Sequence, residues 1–254
     1  MSLPKIAAPL LALTLAAAGV SGPALAFDIT KMTPAESAAF GTQVRDYLVK
    51  NPEVMLDVMS ALEAKQAQQQ AQSDSDIIAA NDAQIFKDPA SWVGGNPDGD
   101  ITVVEFLDYR CGYCRKAHSE VQELVKSDGN IRYVVKEFPI LGPDSITASR
   151  FAIGVLQTAG PEAYEKLKNA FYTSFRGEMT VDNLKALGTS LGFDPAPAVA
   201  RMNAPEVEAV IKANHELAGK LQIQGTPTFV LGDQMLRGYL PLDGMRQVVA
   251  EVRG

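Results

Sequence analysis

Apolar residues recur at three- and four-residue spacing early in the chain: Phe40, Val44, Tyr47 and Leu48, then, past Asn51-Pro52, Val54, Met55, Val58, Met59 and Leu62. That period predicts two amphipathic helices between Pro34 and Gln72, with the Asn-Pro step as the break. The second runs on into Glu63 to Gln72, a Gln/Ala stretch of high helix propensity that has no apolar stripe of its own. The stripe must be covered, either by the body of the same chain or by further copies of itself, with the Gln/Ala stretch as a helical or flexible spacer.

The pattern changes from about Asp76. Asn96-Pro97-Asp98-Gly99-Asp100 is turn chemistry, and Ile101 to Leu107 is apolar on both faces, as in a central strand. A helical stretch from about Gly112 to Val125 follows, then a second strand-like run from Ile131 to Phe138, so strand, helix and strand read as a βαβ unit. Ser145 to Ala218 is helical in pattern, broken at Gly160-Pro161, Gly177, Gly192 and Pro195 to Pro197, and reads as a helical insertion. Thr228 to Leu231, the Gly232-Asp233 turn and Met235 to Arg237 read as a hairpin, closed by a helix from about Leu242 to Val252.

The beginning of the chain reads differently. Lys5 precedes the apolar stretch Ile6 to Ala18, and Ala24-Leu25-Ala26 is a small-x-small cleavage pattern before Phe27. The expectation is a secretory signal peptide over residues 1–26. The apolar core is shorter than the ~20 residues of a membrane span and contains Pro9. The expected organisation is therefore a signal peptide (1–26), an N-terminal helical segment and linker (27–80), and an α/β domain (81–254) with its insertion at about 145–218.

Composition narrows the function. Thirty acidic residues against 23 basic ones leave a net charge of −7, which disfavours nucleic acid as a partner. No G-x-G-x-x-G or Walker pattern is present, so no cofactor is expected.

The chemistry centres on Cys111-Gly112-Tyr113-Cys114, which holds the only two cysteines. A cysteine that follows a strand and opens a helix sits among free backbone N–H groups at the positive end of the helix dipole, where a thiolate is stabilised. The alternatives are weaker. Zinc needs four ligands, and the only histidines are His118 and the distant His215. A two-thiolate copper(I) site is chemically reasonable. A structural staple over so short a loop constrains little of the unfolded chain. Redox exchange is the favoured reading, with Cys111 as the attacking sulfur and Cys114 as the resolving one. Arg110, Arg115 and Lys116 flank the site, and His118 reads as an ordinary helix-surface residue.

Glu105 is an acid inside an apolar strand, six residues before Cys111. A buried carboxylate requires a partner, and Lys136 in the next strand is the candidate; together they would modulate the Cys114 thiol.

These residues together resemble the thioredoxin-fold oxidoreductases of the DsbA group: C-x-x-C opening a helix, a helical insertion, and Thr226-Pro227 before the closing hairpin. The resemblance covers roughly Asp82 to Gly254. It implies a thioredoxin fold with a helical insertion and a cis bond at Thr226-Pro227 facing Cys111. It also implies a loop that binds substrate peptide by main-chain pairing. Gly112-Tyr113 replaces the Pro-His of the strongly oxidising members, and Thr226 stands where they carry valine; both features are similar to the DsbC-type isomerases. With the N-terminal helices added, the chain is similar to the suppressor-of-copper-sensitivity C (ScsC) proteins. That resemblance implies a periplasmic disulfide isomerase, homo-oligomeric (dimer or trimer) through residues 34–72. Its partners would be disulfide-bearing client proteins and a membrane redox protein that resets the dithiol. A DsbA-like oxidase and a copper-binding protein linked to copper tolerance remain as alternatives.

Overall fold

A computed structural model describes residues 29–254. The expected signal peptide falls on residues outside that range. The chain divides into two compact units, residues 1–61 and 62–254, with the division inside one helix.

In the first unit α1 spans Pro34–Lys50. It starts where the sequence offers a capping box: the Glu36 amide donates to the Thr33 hydroxyl at 3.3 Å, and the Thr33 amide donates to the Glu36 carboxylate at 2.8 Å. After Asn51 the chain re-enters helix as α2, Glu53–Ala80. The predicted stripe is present but uncovered. Phe40, Val44 and Tyr47 on α1, and Met55, Val58 and Met59 on α2, are all exposed.

The Gln/Ala stretch is helical throughout, because α2 continues to Ala80. The division between the two units falls inside α2, ahead of the boundary expected at 80/81. Asp74 and Ile78 are buried, Ile78 packing with Val104, Phe106 and Val134 of the second unit's own core. Asp74 accepts from both terminal nitrogens of Arg237 at 2.6 and 2.7 Å. The apolar period stops at Leu62 because the next buried positions, Asp74 and Ile78, lie about three to four turns on, beyond a polar stretch.

The second unit adds α3, Asp82–Phe86, and a five-stranded sheet ordered β1-β3-β2-β4-β5. The strands are β1 (Trp92–Gly95), β2 (Ile101–Leu107), β3 (Ile131–Glu137), β4 (Thr228–Leu231) and β5 (Gln234–Arg237). β2 and β3 are parallel, and the other neighbours are antiparallel. The crossover between β2 and β3 is α4, Gly112–Asp128, which ends at Gly129 in the left-handed region (φ 73°).

The insertion comprises α5 (Pro143–Ala159), α6 (Pro161–Thr173), α7 (Val181–Ser190), α8 (Ala196–Arg201) and α9 (Pro205–Lys220). The closing helix is α10, Leu242–Arg253. One core unites Val103, Leu107, Tyr133 and Val135 of the sheet with α4, α6 and α10; the other unites Val104, Phe106 and Val134 with α3, α9 and the end of α2. The alternating side chains of β2 and β3 thus feed two separate layers.

Candidate functional site

β2 delivers the chain to Asp108, whose buried carboxylate fixes the bend that follows. It accepts from the amides of Arg110 (2.7 Å), Ile140 (2.8 Å) and Leu141 (3.0 Å) and from the Ser145 hydroxyl (2.8 Å). Its backbone carbonyl accepts from the Cys111 amide at 3.1 Å and from the Tyr172 hydroxyl at 3.1 Å. Cys111 is thereby set as the residue that caps α4, with extended backbone.

Its sulfur does what an N-cap oxygen does elsewhere, accepting from the Cys114 amide at 3.3 Å. On the other side, Cys111 Sγ lies 3.1 Å from the backbone carbonyl oxygen of Thr226, and the Thr226-Pro227 bond is cis. Both cysteines are reduced; Cys111 is 7% exposed and Cys114 fully covered.

The two thiols are driven apart in acidity. A hydrogen bond from the Cys114 side chain, one from Thr226, and the amides of Cys114 and Tyr113 bring the Cys111 pKa down to about 5, against the opposing effect of burial. Burial above all, with the hydrogen bond to Cys111 and the nearby Glu105 charge, pushes Cys114 far up. The arrangement can hold a thiolate at Cys111 and a neutral thiol at Cys114 in the same solution.

Glu105 is buried as expected, but its partner is not Lys136. The parallel register sets Glu105 opposite Val135 and Phe106 opposite Lys136, so the acid and the lysine project from opposite faces of the sheet. Lys136 donates instead to Asp88 at 2.7 Å and to the Gln84 carbonyl at 2.8 Å. Glu105 accepts from the Tyr133 hydroxyl, and the cation acting on it is Lys168 of α6. Desolvation nevertheless raises the Glu105 pKa.

Lys168 is itself 1% exposed, its ammonium 4.6 Å from the ring centres of both Trp92 and Tyr133. Burial lowers its pKa to about 8. The only sequence signal was a lysine among Tyr164, Leu167 and Phe171 on the apolar face of a helix.

His118 is also corrected: it is buried against the Tyr172 ring at 4.9 Å between centres, and burial takes its pKa to about 4. Of the flanking cations, Arg115 donates to the Tyr172 carbonyl, Lys116 lies over the Tyr239 ring, and Arg110 is 3.8 Å from Asp144. A further buried acid, Glu137, accepts from Tyr109 and Tyr164 at 2.6 Å each and from Ser149 at 2.7 Å; burial raises its pKa to about 7. Among the described residues no three His, Cys, Asp or Glu side chains converge on a point where a metal ion could sit.

Known proteins share this fold. A family model described as thioredoxin matches residues 87–251, and one described as the copper resistance protein ScsC N-terminal domain matches residues 36–69. A thioredoxin-like oxidoreductase from Silicibacter pomeroyi DSS-3 is 38% identical, with a TM-score of 0.61 over 67% of this chain and 96% of that one. The thiol-disulfide exchange protein alpha-DsbA2 from Wolbachia pipientis is 28% identical, with a TM-score of 0.66 over 72% of this chain and 97% of that one. Proteus mirabilis ScsC in a transitional conformation is 26% identical, with a TM-score of 0.63 over 88% of this chain and 98% of that one. The chain spans about a quarter of the length of the Na(+)/H(+) antiporters NhaA that head its curated relatives; it covers 24% of the one from Salinispora arenicola (strain CNS-205), at 25% identity. On the thioredoxin model, which takes in well over half of its residues, the chain belongs to the thioredoxin family and is similar to that family's DsbA-like thiol-disulfide oxidoreductases.

Proposed function

We propose that this chain is an exported thiol-disulfide interchange protein that isomerises wrong disulfides in client proteins. The observation that carries the reading is the Cys111 sulfur held between the Cys114 amide and the Thr226 carbonyl, with its pKa near 5. The Cys111 thiolate attacks a client disulfide; a Cys111–client S–S bond forms and the client's second sulfur leaves as a thiolate. A different thiolate of the client then displaces Cys111 and closes a new client disulfide, or Cys114 attacks the Cys111 sulfur. In the second route the Cys114 proton is lost as its sulfur bonds to that of Cys111, and the client's sulfur departs as thiolate. Glu105, close enough for its charge to act on Cys114 and raised in pKa by burial, is the proton acceptor. Thr226 and Pro227 hold the client's backbone as an added strand.

Isomerase rather than oxidase action is supported by Tyr113 within the dithiol and by the uncovered stripes on α1 and α2. Those stripes, within the segment matched by the ScsC N-terminal model, are the surface through which copies of the chain would associate. Residues 27–61 would form the oligomerisation segment, and residues 62–254, the Gln/Ala stretch included, the catalytic domain. The leader pattern before Phe27 is consistent with work in the periplasm, where disulfides persist.

The test is reactivation of a scrambled, oxidised test protein by the reduced chain beginning at Phe27, beside Cys114→Ser and a Met55→Glu/Met59→Glu variant. Reactivation that fails when sedimentation shows the double variant to be monomeric supports the isomerase. Absent reactivation with fast oxidation of a reduced client makes the protein an oxidase.

A further inference from the structure

A pocket of about 340 Å³ opens beside the Thr226 loop, lined by Gln222, Gln224, Thr226, Arg237 and, from α2, Gln70. Because the Thr226 carbonyl is 3.1 Å from Cys111 Sγ, any chain joined to that sulfur must run past Thr226. In an extended chain the next residue lies ~3.4 Å further along and its side chain turns to the other side. A pocket that has Thr226 as one wall is therefore within reach of the residue beside the client's cysteine.

The chemistry of the walls is specific. Three primary amides and the hydroxyls of Thr226 and Thr228 surround the space. The one formal cation, Arg237, is matched by Asp74 through both terminal nitrogens. Gln70 is oriented by the same acid, its amide nitrogen donating to Asp74 Oδ1 at 2.9 Å, which leaves its carbonyl oxygen to accept. Neutral walls with both donors and acceptors suit a neutral polar side chain. A lysine would meet the Arg237 cation, and a carboxylate would find that guanidinium already matched by Asp74.

Gln222 stands at the pocket wall in an uncommon backbone conformation. It ends α9 in a Schellman turn, with Ile223 N–H to Ala218 C=O at 2.9 Å and Gln222 N–H to Gly219 C=O at 3.2 Å. Its φ of 55° is the one positive φ among the non-glycine residues described. Glycine adopts that conformation without penalty. A glutamine kept there places a third amide at the pocket wall.

We propose that this pocket is a client subsite for a neutral polar side chain, Gln, Asn, Ser or Thr, next to the client's reacting cysteine, and that Gln70 of α2 is one of its specificity-determining residues. The proposal rests on the exchange reading above and extends it. α2 then does more than carry an apolar stripe, since its Gln/Ala stretch forms part of the client cleft and is pinned there by the Asp74–Arg237 pair.

The experiment uses the full chain from Phe27 with Cys114→Ser, so that the reaction stops at the mixed disulfide. Extended peptides carry 5-thio-2-nitrobenzoate on one cysteine and Gln, Leu or Lys beside it. The Cys111 thiolate displaces the coloured thiolate, one S–S bond forming as the other breaks. The expected result is that the Gln peptide reacts about three- to tenfold faster than the Leu peptide at subsaturating concentration, the worth of one or two hydrogen bonds at a solvent-open site. Gln70→Leu should reverse that order, a gain for the Leu peptide that a misfolded protein cannot give. Gln224→Ala should reduce the preference without reversing it. Equal rates for all three peptides in the parent chain, or a preference untouched by Gln70→Leu, would overturn the subsite while leaving exchange intact. No release from any peptide would sink the exchange reading itself.

Discussion

The two faces of the sheet each bury a lysine, and they do so in opposite ways. Lys136, beneath α3 and α9, has a carboxylate at 2.7 Å and a carbonyl at 2.8 Å. Lys168, on the face beneath α4 and α6, is flanked by two aromatic rings and acts on Glu105 through space. One charge is matched where it stands, so that face is structural. The other lies over the rings of Trp92 and Tyr133 with no carboxylate in contact, and Glu105, Glu165 and Glu137 act on it through space, so its energy depends on the protonation of its neighbours. A buried charge without a direct partner is costly to hold, and it lies on the face where the thiols titrate.

The largest consequence is on the dithiol face. Cys111 titrates near 5, below the ordinary thiol value of ~8.5, so its thiolate stabilises the reduced fold fully above the ordinary value. The gain is about 5 kcal/mol in full and is lost as pH falls through about 5. Urea midpoints of the reduced chain should therefore fall between pH 8.5 and 5 relative to those of the oxidised chain, which has no thiol to titrate. Parallel midpoints for the two forms would place the pKa of Cys111 in the ordinary range and dissolve the contrast between the faces.

The second effect belongs to the opposite face. Asp88→Asn leaves Lys136 buried without its counter-charge. Because the Asp88 side chain is 24% exposed, the loss should be about 2 kcal/mol, below the range for a wholly buried pair. Chemical denaturation reads the loss, and thiolate absorbance against pH should still place Cys111 near 5. A Cys111 titration that moves would mean that the faces are coupled.

That separation was the part of the molecule least legible in the sequence. β2, α4, β3 and the β4–β5 hairpin could be read almost to the residue, because a continuous apolar run, a 3.6-residue period and a Gly-Asp turn are local signals. The face of Glu105 could not be read so easily. A strand apolar on both sides does not announce which side is which, and the Lys136 pairing failed on a register that puts Val135 opposite Glu105. β1 escaped notice because four residues ending in two glycines carry too little pattern, although they pair antiparallel with β3. The burial of His118 was recoverable: Cys114, Ala117, His118, Val121 and Leu124 follow one helical stripe, and all are buried. Lys168 was not, since only the packing of α6 against β1 and β3 brings it to the dithiol's face.

The smallest effect gives the finest test of the contrast. With a folded pKa lowered to about 8 by burial, Lys168 binds its proton less readily in the fold than in the unfolded chain. Stability should therefore rise with pH from about 8 to the ordinary lysine range. Lys168→Met should remove that rise and, at neutral pH, leave stability within about 1 kcal/mol of the parent, since an apolar group of similar length replaces a charge without a direct partner. Trp92 is the chain's only tryptophan and lies against this ammonium, so its fluorescence should change with an apparent pKa near 8 in the parent and stay flat in Lys168→Met. Removing the cation should also raise the Glu105 pKa further, because Lys168 is the charge that opposes its desolvation, and the pH profile of Cys114 resolution should shift upward with it. A flat fluorescence profile in the parent would mean that Lys168 keeps one charge state across the working range.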